Sequence, residues 1–115
     1  MTTEEIRAKI KEYSLVLLKK GPKYHTFDAE LQQQNQAAHL NYLMELRVNG
    51  LIALTGPVMD GGDIIGMAVY NIADKQAVKA LLENDPGIVA ERFTYELLTW
   101  FGFPGDKLGQ ENRDL

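Results

Sequence analysis

The chain contains no cysteine, which excludes disulfides, thiolate nucleophiles and zinc-thiolate sites. Histidine is nearly as scarce, with only His25 and His39. A metal centre would have to lean on carboxylates, and no HExxH or other tight ligand spacing occurs, so neither a metal nor another cofactor is expected. Positive charge is also short: twelve Lys and Arg against sixteen Asp and Glu leave a formal net charge of -4. That balance disfavours nonspecific binding to a polyanion, and nucleic acid is not an expected partner. No apolar run is long enough to span a bilayer, so no membrane partner is expected either. The opening Met-Thr-Thr-Glu-Glu-Ile-Arg is charged where a signal peptide would carry an apolar core, which makes a cytoplasmic location the expectation. What is present is ordinary for a globular protein, 45% apolar and 24% charged residues in a chain of 115, enough for one core and one domain.

Thr2-Thr3-Glu4-Glu5 matches a capping box and predicts a helix to about Glu12. Its apolar residues are few, so residues 1–12 are expected as a helical appendage. Tyr13 to Lys19 reads as a strand with apolar groups on both faces, stopped by Gly21-Pro22. Asp28 is a plausible N-cap and Gly50 a plausible terminator for a long helix between them. At 100° per residue, His39, Leu40, Leu43, Met44 and Leu46 share one inward arc. The polar first half, with glutamines at 32, 33, 34 and 36, is expected to project past the sheet. Leu51 to Thr55 is a second strand, closed by Gly56-Pro57, and Asp60-Gly61-Gly62-Asp63 reads as a hairpin turn, with cation binding as the lesser alternative. Ile64 to Ile72 is a third strand, whose Gly66 and Ala68 leave room for a ligand or another backbone. Asp74 caps a second helix, with Lys75, Lys79 and Glu83 as its solvated face. Asp85-Pro86 starts one more short turn. Arg92 to Trp100 is the fourth strand, and residues 103–115 form a tail.

Omitting the first helix, the order is strand, helix, strand, strand, helix, strand, the βαββαβ pattern of an α+β ferredoxin-like sandwich. Two helices cover one face of such a sheet. Strands one, three and four are apolar on both faces, so the second face needs another cover, and a homodimer packed sheet to sheet is expected.

Several segments, taken in order, resemble the YCII-related domain family. They are Leu-Leu-Lys-Lys-Gly-Pro-Lys from Leu17, Ala-His-Leu-Asn-Tyr-Leu from Ala38, and Gly-Leu-Ile-Ala-Leu-Thr-Gly-Pro-Val-Met-Asp-Gly-Gly-Asp from Gly50. Glu-Asn-Asp-Pro from Glu83 follows, with Arg92 and the Trp100-Phe101 ending. The resemblance covers roughly Tyr13 to Gly102 and implies a dimeric α+β barrel. It also implies an active site built from a histidine on the first helix of the sandwich and an aspartate after the second, here His39 and Asp85. Proteins of this kind include many of unknown function and some that act on chlorinated hydroxyquinones. The wider fold group holds muconolactone isomerases and small-molecule monooxygenases. The helix before Tyr13 departs from the minimal pattern.

Each candidate also has a plainer reading. His39 is either a packed core imidazole or a proton-transfer group, since a free imidazole titrates at about pH 6.5. Asp85 is fully explained as an N-cap, yet it can also orient His39 by accepting an imidazole N–H. Arg92 is a strand-end cation that is either solvated or paired with a substrate anion, and Gly66 is a second candidate for substrate contact. His25 reads as a loop residue. Two functions are compatible with this set. One is a small cofactor-independent enzyme using His39 and Asp85 in a lyase or isomerase-type proton transfer on a small cyclic or aromatic substrate. The other is a noncatalytic dimer that binds a small metabolite or a partner protein.

Overall fold

Lys11–Lys20 forms the strand β1 at the centre of the molecule, and its alternation decides which side of the sheet is covered. The computed structural model describes residues 1–109. Gln110 to Leu115, the end of the expected tail, lies outside the described residues. Around β1 the chain adds α1 (Thr3–Arg7), α2 (Ala29–Val48), β2 (Ile52–Gly61), β3 (Ile64–Tyr70), α3 (Lys75–Leu82), α4 (Pro86–Val89) and β4 (Phe93–Gly102). The strands form one antiparallel sheet in the order β2-β3-β1-β4. That order is the ferredoxin-like α+β sandwich expected from the element pattern.

Local chemistry explains the element ends. The Asp28 carboxylate accepts the Leu31 N–H and starts α2, and the Asp74 carboxylate accepts the Gln76 N–H and starts α3. After α2 the chain reverses at Gly50, whose φ of +78° costs a residue without Cβ little. The capping box at Thr2 and Glu5 forms as expected, but α1 stops at Arg7 instead of continuing to about Glu12. Residues from Lys11 join β1 because β4 runs on to Gly102 and offers them a ladder, Lys11 opposite Gly102.

The second strand departs most from expectation. Gly56-Pro57 does not close it, and β2 continues to Gly61 with Pro57 opposite Gly66. A proline is tolerated there because β2 is an edge strand, where its missing N–H costs no ladder bond. The turn to β3 is then made at Gly62, with φ +65°.

Val16, Ala68 and Tyr70 point to the helical side and pack with Leu46 of α2, Ile52 of β2, and Val78 and Leu82 of α3. Ser14 shares that side, and its buried hydroxyl donates to the Ile72 carbonyl at 2.6 Å. Lys75 Nζ in turn donates to Ser14 Oγ at 2.9 Å, so this lysine anchors the start of α3 and is not simply part of a solvated face. By the two-residue alternation, Leu15, Leu17, Met67, Val69, Leu98 and Trp100 point the other way. That side is unevenly covered: Val69 is buried, whereas Leu98 and Trp100 are each 42% exposed, and α1 buries none of its own residues.

Candidate functional site

Between α2 and the helical side of the sheet lies a cavity of roughly 580 Å³, floored by Val16, Leu18, Gly66 and Ala68 and bordered by His39, Asp85, Arg92 and Phe93. The four residues singled out in the sequence, His39, Asp85, Arg92 and Gly66, all border it. The arc containing His39 is shifted from the expected one. His39 and Leu46 are buried and Tyr42 turns inward to donate to the Leu81 carbonyl at 2.7 Å, whereas Leu40 and Met44 overhang the cavity and stay largely exposed.

His39 Nδ1 lies 2.9 Å from Asp85 Oδ1 and 2.8 Å from Oδ2. Both residues are buried, at 4% and 1% exposure. The Gly87 N–H donates to Asp85 Oδ1 at 2.8 Å, so one carboxylate both caps α4 and meets the imidazole. An ionised carboxylate only accepts, which obliges Nδ1 to carry a proton, and in the neutral ring the lone pair is then on Nε2. No protein group bonds Nε2 among the described residues, and no fully buried side-chain nitrogen or oxygen there lacks a partner. Nε2 therefore keeps access to the cavity. Phe93 holds the ring from the side, edge to face, with centroids 4.8 Å apart.

Gly87 makes this packing possible. A Cβ there would collide with the Phe93 ring, 2.7 Å from Cε2, and press on Asp85 Oδ1 at 3.4 Å. Gly66 differs: a Cβ there would meet Gly56 O and Leu18 Cβ at an ordinary 3.5 Å. The chain's own packing does not demand that glycine, and its effect is to widen the cavity floor.

Arg92 is 3% exposed. Its Nε donates to Asn35 Oδ1 at 2.8 Å and its Nη2 to Gln36 Oε1, while the guanidinium lies 4.2 Å from the Phe93 ring centroid. Burial lowers its pKa, an effect partly offset by Tyr24 and Asp85. Burial, reinforced by Asp85, raises the pKa of the Tyr70 phenol at the cavity wall, and the same two causes raise that of Tyr42. Among the described residues no three His, Asp or Glu side chains converge as a metal site would need. His25 stacks on Tyr24 in the loop before α2.

Asn35, Gln36, Gly87 and Phe93 were not singled out in the sequence. Asn35 and Gln36 sit in the half of α2 expected to project away from the sheet, and both are half-buried. Asn35 also donates from Nδ2 to the Pro86 carbonyl at 3.1 Å, tying α4 to α2. The only signal for them was position, one helical turn and slightly less before His39.

The family model described as the YCII-related domain matches residues 6–100. Among solved structures, a similar chain is the 5-chloro-2-hydroxyhydroquinone dehydrochlorinase (TftG) from Burkholderia phenoliruptrix AC1100, in complex with 2,5-dihydroxybenzoquinone. It is 25% identical, the match covers 76% of this chain and 92% of that one, and the TM-score is 0.57. No curated protein matches the chain.

Proposed function

The chain belongs to the YCII-related domain family, and from that premise we propose that it is a small cofactor-independent enzyme of the lyase or isomerase type. His39 Nε2 takes a proton from a small cyclic or aromatic substrate, and Asp85 holds the imidazole in the tautomer that allows it. The observation that carries this reading is the buried pair, with Nδ1 2.8 Å from Asp85 Oδ2 and the opposite nitrogen open to a cavity large enough for one ring. A similar chain named as a dehydrochlorinase of a chlorinated hydroxyhydroquinone supports a ring substrate. In the step, the substrate C–H or O–H bond breaks, the proton goes to Nε2, and the electron pair stays on the ring. The pair then either expels a leaving group or is reprotonated at another carbon by the same imidazole.

The second part of the proposal is a homodimer. The sheet face carrying Leu15, Leu17, Met67, Leu98 and Trp100 leaves Leu98 and Trp100 each 42% exposed, and a second copy packed face to face would remove that apolar surface from water.

The test is turnover of a panel of hydroxylated quinols and quinones, beginning with 5-chloro-2-hydroxyhydroquinone and following chloride release and quinone absorbance. His39→Gln is expected to lower turnover by about 10²- to 10⁴-fold while leaving binding within a few-fold. Unchanged turnover in that variant would sink the catalytic role of His39. Binding by the wild type without turnover across the panel would favour the noncatalytic metabolite-binding dimer.

A further inference from the structure

We infer that the cavity takes its ligand as a ring oxyanion, and that Arg92 is the cation that meets it. This rests on the proton-transfer reading for the location of the reacting ring, but its physical basis is separate.

A guanidinium at 3% exposure is expensive to bury unless an anion compensates it. Arg92 has no carboxylate within ion-pair distance among the described residues. Its protein partners are two neutral amide oxygens, Asn35 Oδ1 and Gln36 Oε1. These satisfy two of its donors and leave its charge intact. The acid next to it in sequence, Glu91, is turned away and pairs with Lys23 at 3.0 Å on the surface. Asp85, the only carboxylate bordering the cavity among the described residues, already accepts from His39 Nδ1 and the Gly87 N–H. Of the other ionisable groups at the cavity, Tyr24 and Tyr70 are phenols and His39 is the imidazole itself.

Among the described residues Nη1 has no protein partner and no fully buried side-chain nitrogen is unsatisfied, so Nη1 retains access to the space the side chain borders. The backbone is committed to this placement. The Arg92 N–H donates to the Gly87 carbonyl and the Glu91 N–H to the Ile88 carbonyl, the two bonds of a Schellman ending, and Glu91 adopts φ +58° to make it. A non-glycine residue held in that region turns the chain so that Arg92 enters the cavity. The chemistry fits the proposed reaction: proton removal by Nε2 leaves an electron pair that a hydroxylated ring delocalises onto oxygen, and a preorganised cation at that oxygen stabilises the charge as it forms.

The experiment compares isosteres that differ in charge. Binding of 4-nitrophenol is measured against 4-nitroanisole, and benzoate against benzamide, by calorimetry at neutral pH, and the absorbance of bound 4-nitrophenol is titrated with pH. Circular dichroism checks each variant's fold. The wild type is expected to prefer at least one anion over its neutral isostere by about ten- to a hundredfold and, where that anion is the phenolate, to lower the probe's apparent pKa. Which of the two pairs responds distinguishes a phenolate site from a carboxylate site. The preference is expected to survive in His39→Gln and to vanish in Arg92→Gln, with Arg92→Lys retaining part of it. Equal binding of anionic and neutral probes by the wild type, or no binding of any anion at millimolar concentration, overturns the proposal and needs no variant to fold. A preference lost in His39→Gln overturns it too, by assigning recognition to an imidazolium. The two readings fail separately. Anion preference without turnover counts against proton transfer alone, and His39-dependent turnover without anion preference counts against the Arg92 role alone.

Discussion

Replacing Asp85 by Asn separates its two jobs. As a helix cap, Asn is nearly equal to Asp, so the bond from the Gly87 N–H at 2.8 Å survives if the amide oxygen takes the place of Oδ1. The amide nitrogen then faces His39 Nδ1 where a carboxylate oxygen stood at 2.8 Å, and a donor meets a donor. The imidazole can resolve this by moving its proton to Nε2, which closes the lone pair to the cavity. A charge-assisted hydrogen bond is worth about 1.5–3 kcal/mol. Taking about 2 kcal/mol, the native pair favours the Nδ1–H tautomer by about 30-fold, and the substitution removes or reverses that preference. Stability should change by about 0–2 kcal/mol, because a neutral amide is cheaper to bury than a carboxylate. Asp85→Ala provides the contrast. It loses the cap on the Gly87 N–H, about 1 kcal/mol, and leaves the buried His39 Nδ1–H without an acceptor at about 1–3 kcal/mol. Nitrogen-15 spectra of the histidines read the tautomer directly without a substrate, and urea melts read the stability. Turnover, once a substrate is in hand, should fall by about 10²- to 10⁴-fold in Asp85→Asn. A wild type carrying its proton on Nε2, or an Asn variant that keeps it on Nδ1, would refute the reasoning.

Gly87→Ala should cost about 1–3 kcal/mol in a urea melt, because the new methyl lies 2.7 Å from Phe93 Cε2 and the ring cannot yield without disturbing His39. Leu98→Asp, on the uncovered sheet face, should leave the monomer folded, since that side chain is 42% exposed, and shift light scattering from twice 12.9 kDa to 12.9 kDa. A wild type already at 12.9 kDa would remove the dimer. Tyr70 keeps its proton in the folded state to higher pH than an unfolded tyrosine does, through burial first and Asp85 second. Its contribution is therefore fully present below the unfolded value of about 10 and is lost as pH climbs above it. Urea melts between about pH 9 and pH 11 should show that decline, and it should be shallower in Tyr70→Phe.

The sandwich could be read from the chain because its signals are local. Asp28, Asp74 and Asp85 each sit as the cap their neighbours suggested, and Gly50 takes the positive φ expected after α2. Features that depend on position within the sheet could not be read this way. Gly56-Pro57 looks like a strand end until β2 is known to be an edge, and Lys11 looks helical until Gly102 is found opposite it. The site divides along the same line. The match of His39 with Asp85 came from family resemblance, since no spacing rule links positions 46 apart. Asn35 and Gln36 were hidden by composition. A glutamine-rich stretch reads as solvated, and only the packing of α4 against α2 reveals that two of its amides hold a buried cation.

The shortest helix carries the most consequence for the site. α4 has four residues, yet Asp85 at its start orients the imidazole and Arg92, just past its end, borders the same cavity. A segment this short has no helical stability of its own. Its conformation is held by the Asp85 cap, the Schellman bonds at Glu91 and Arg92, and the Asn35 bond to the Pro86 carbonyl. Asn35 makes two of the links that matter, one to Pro86 and one to Arg92 Nε. Imidazole orientation and guanidinium position are therefore coupled through α4. Loosening either end should disturb both, with a reach that the individual contacts do not suggest.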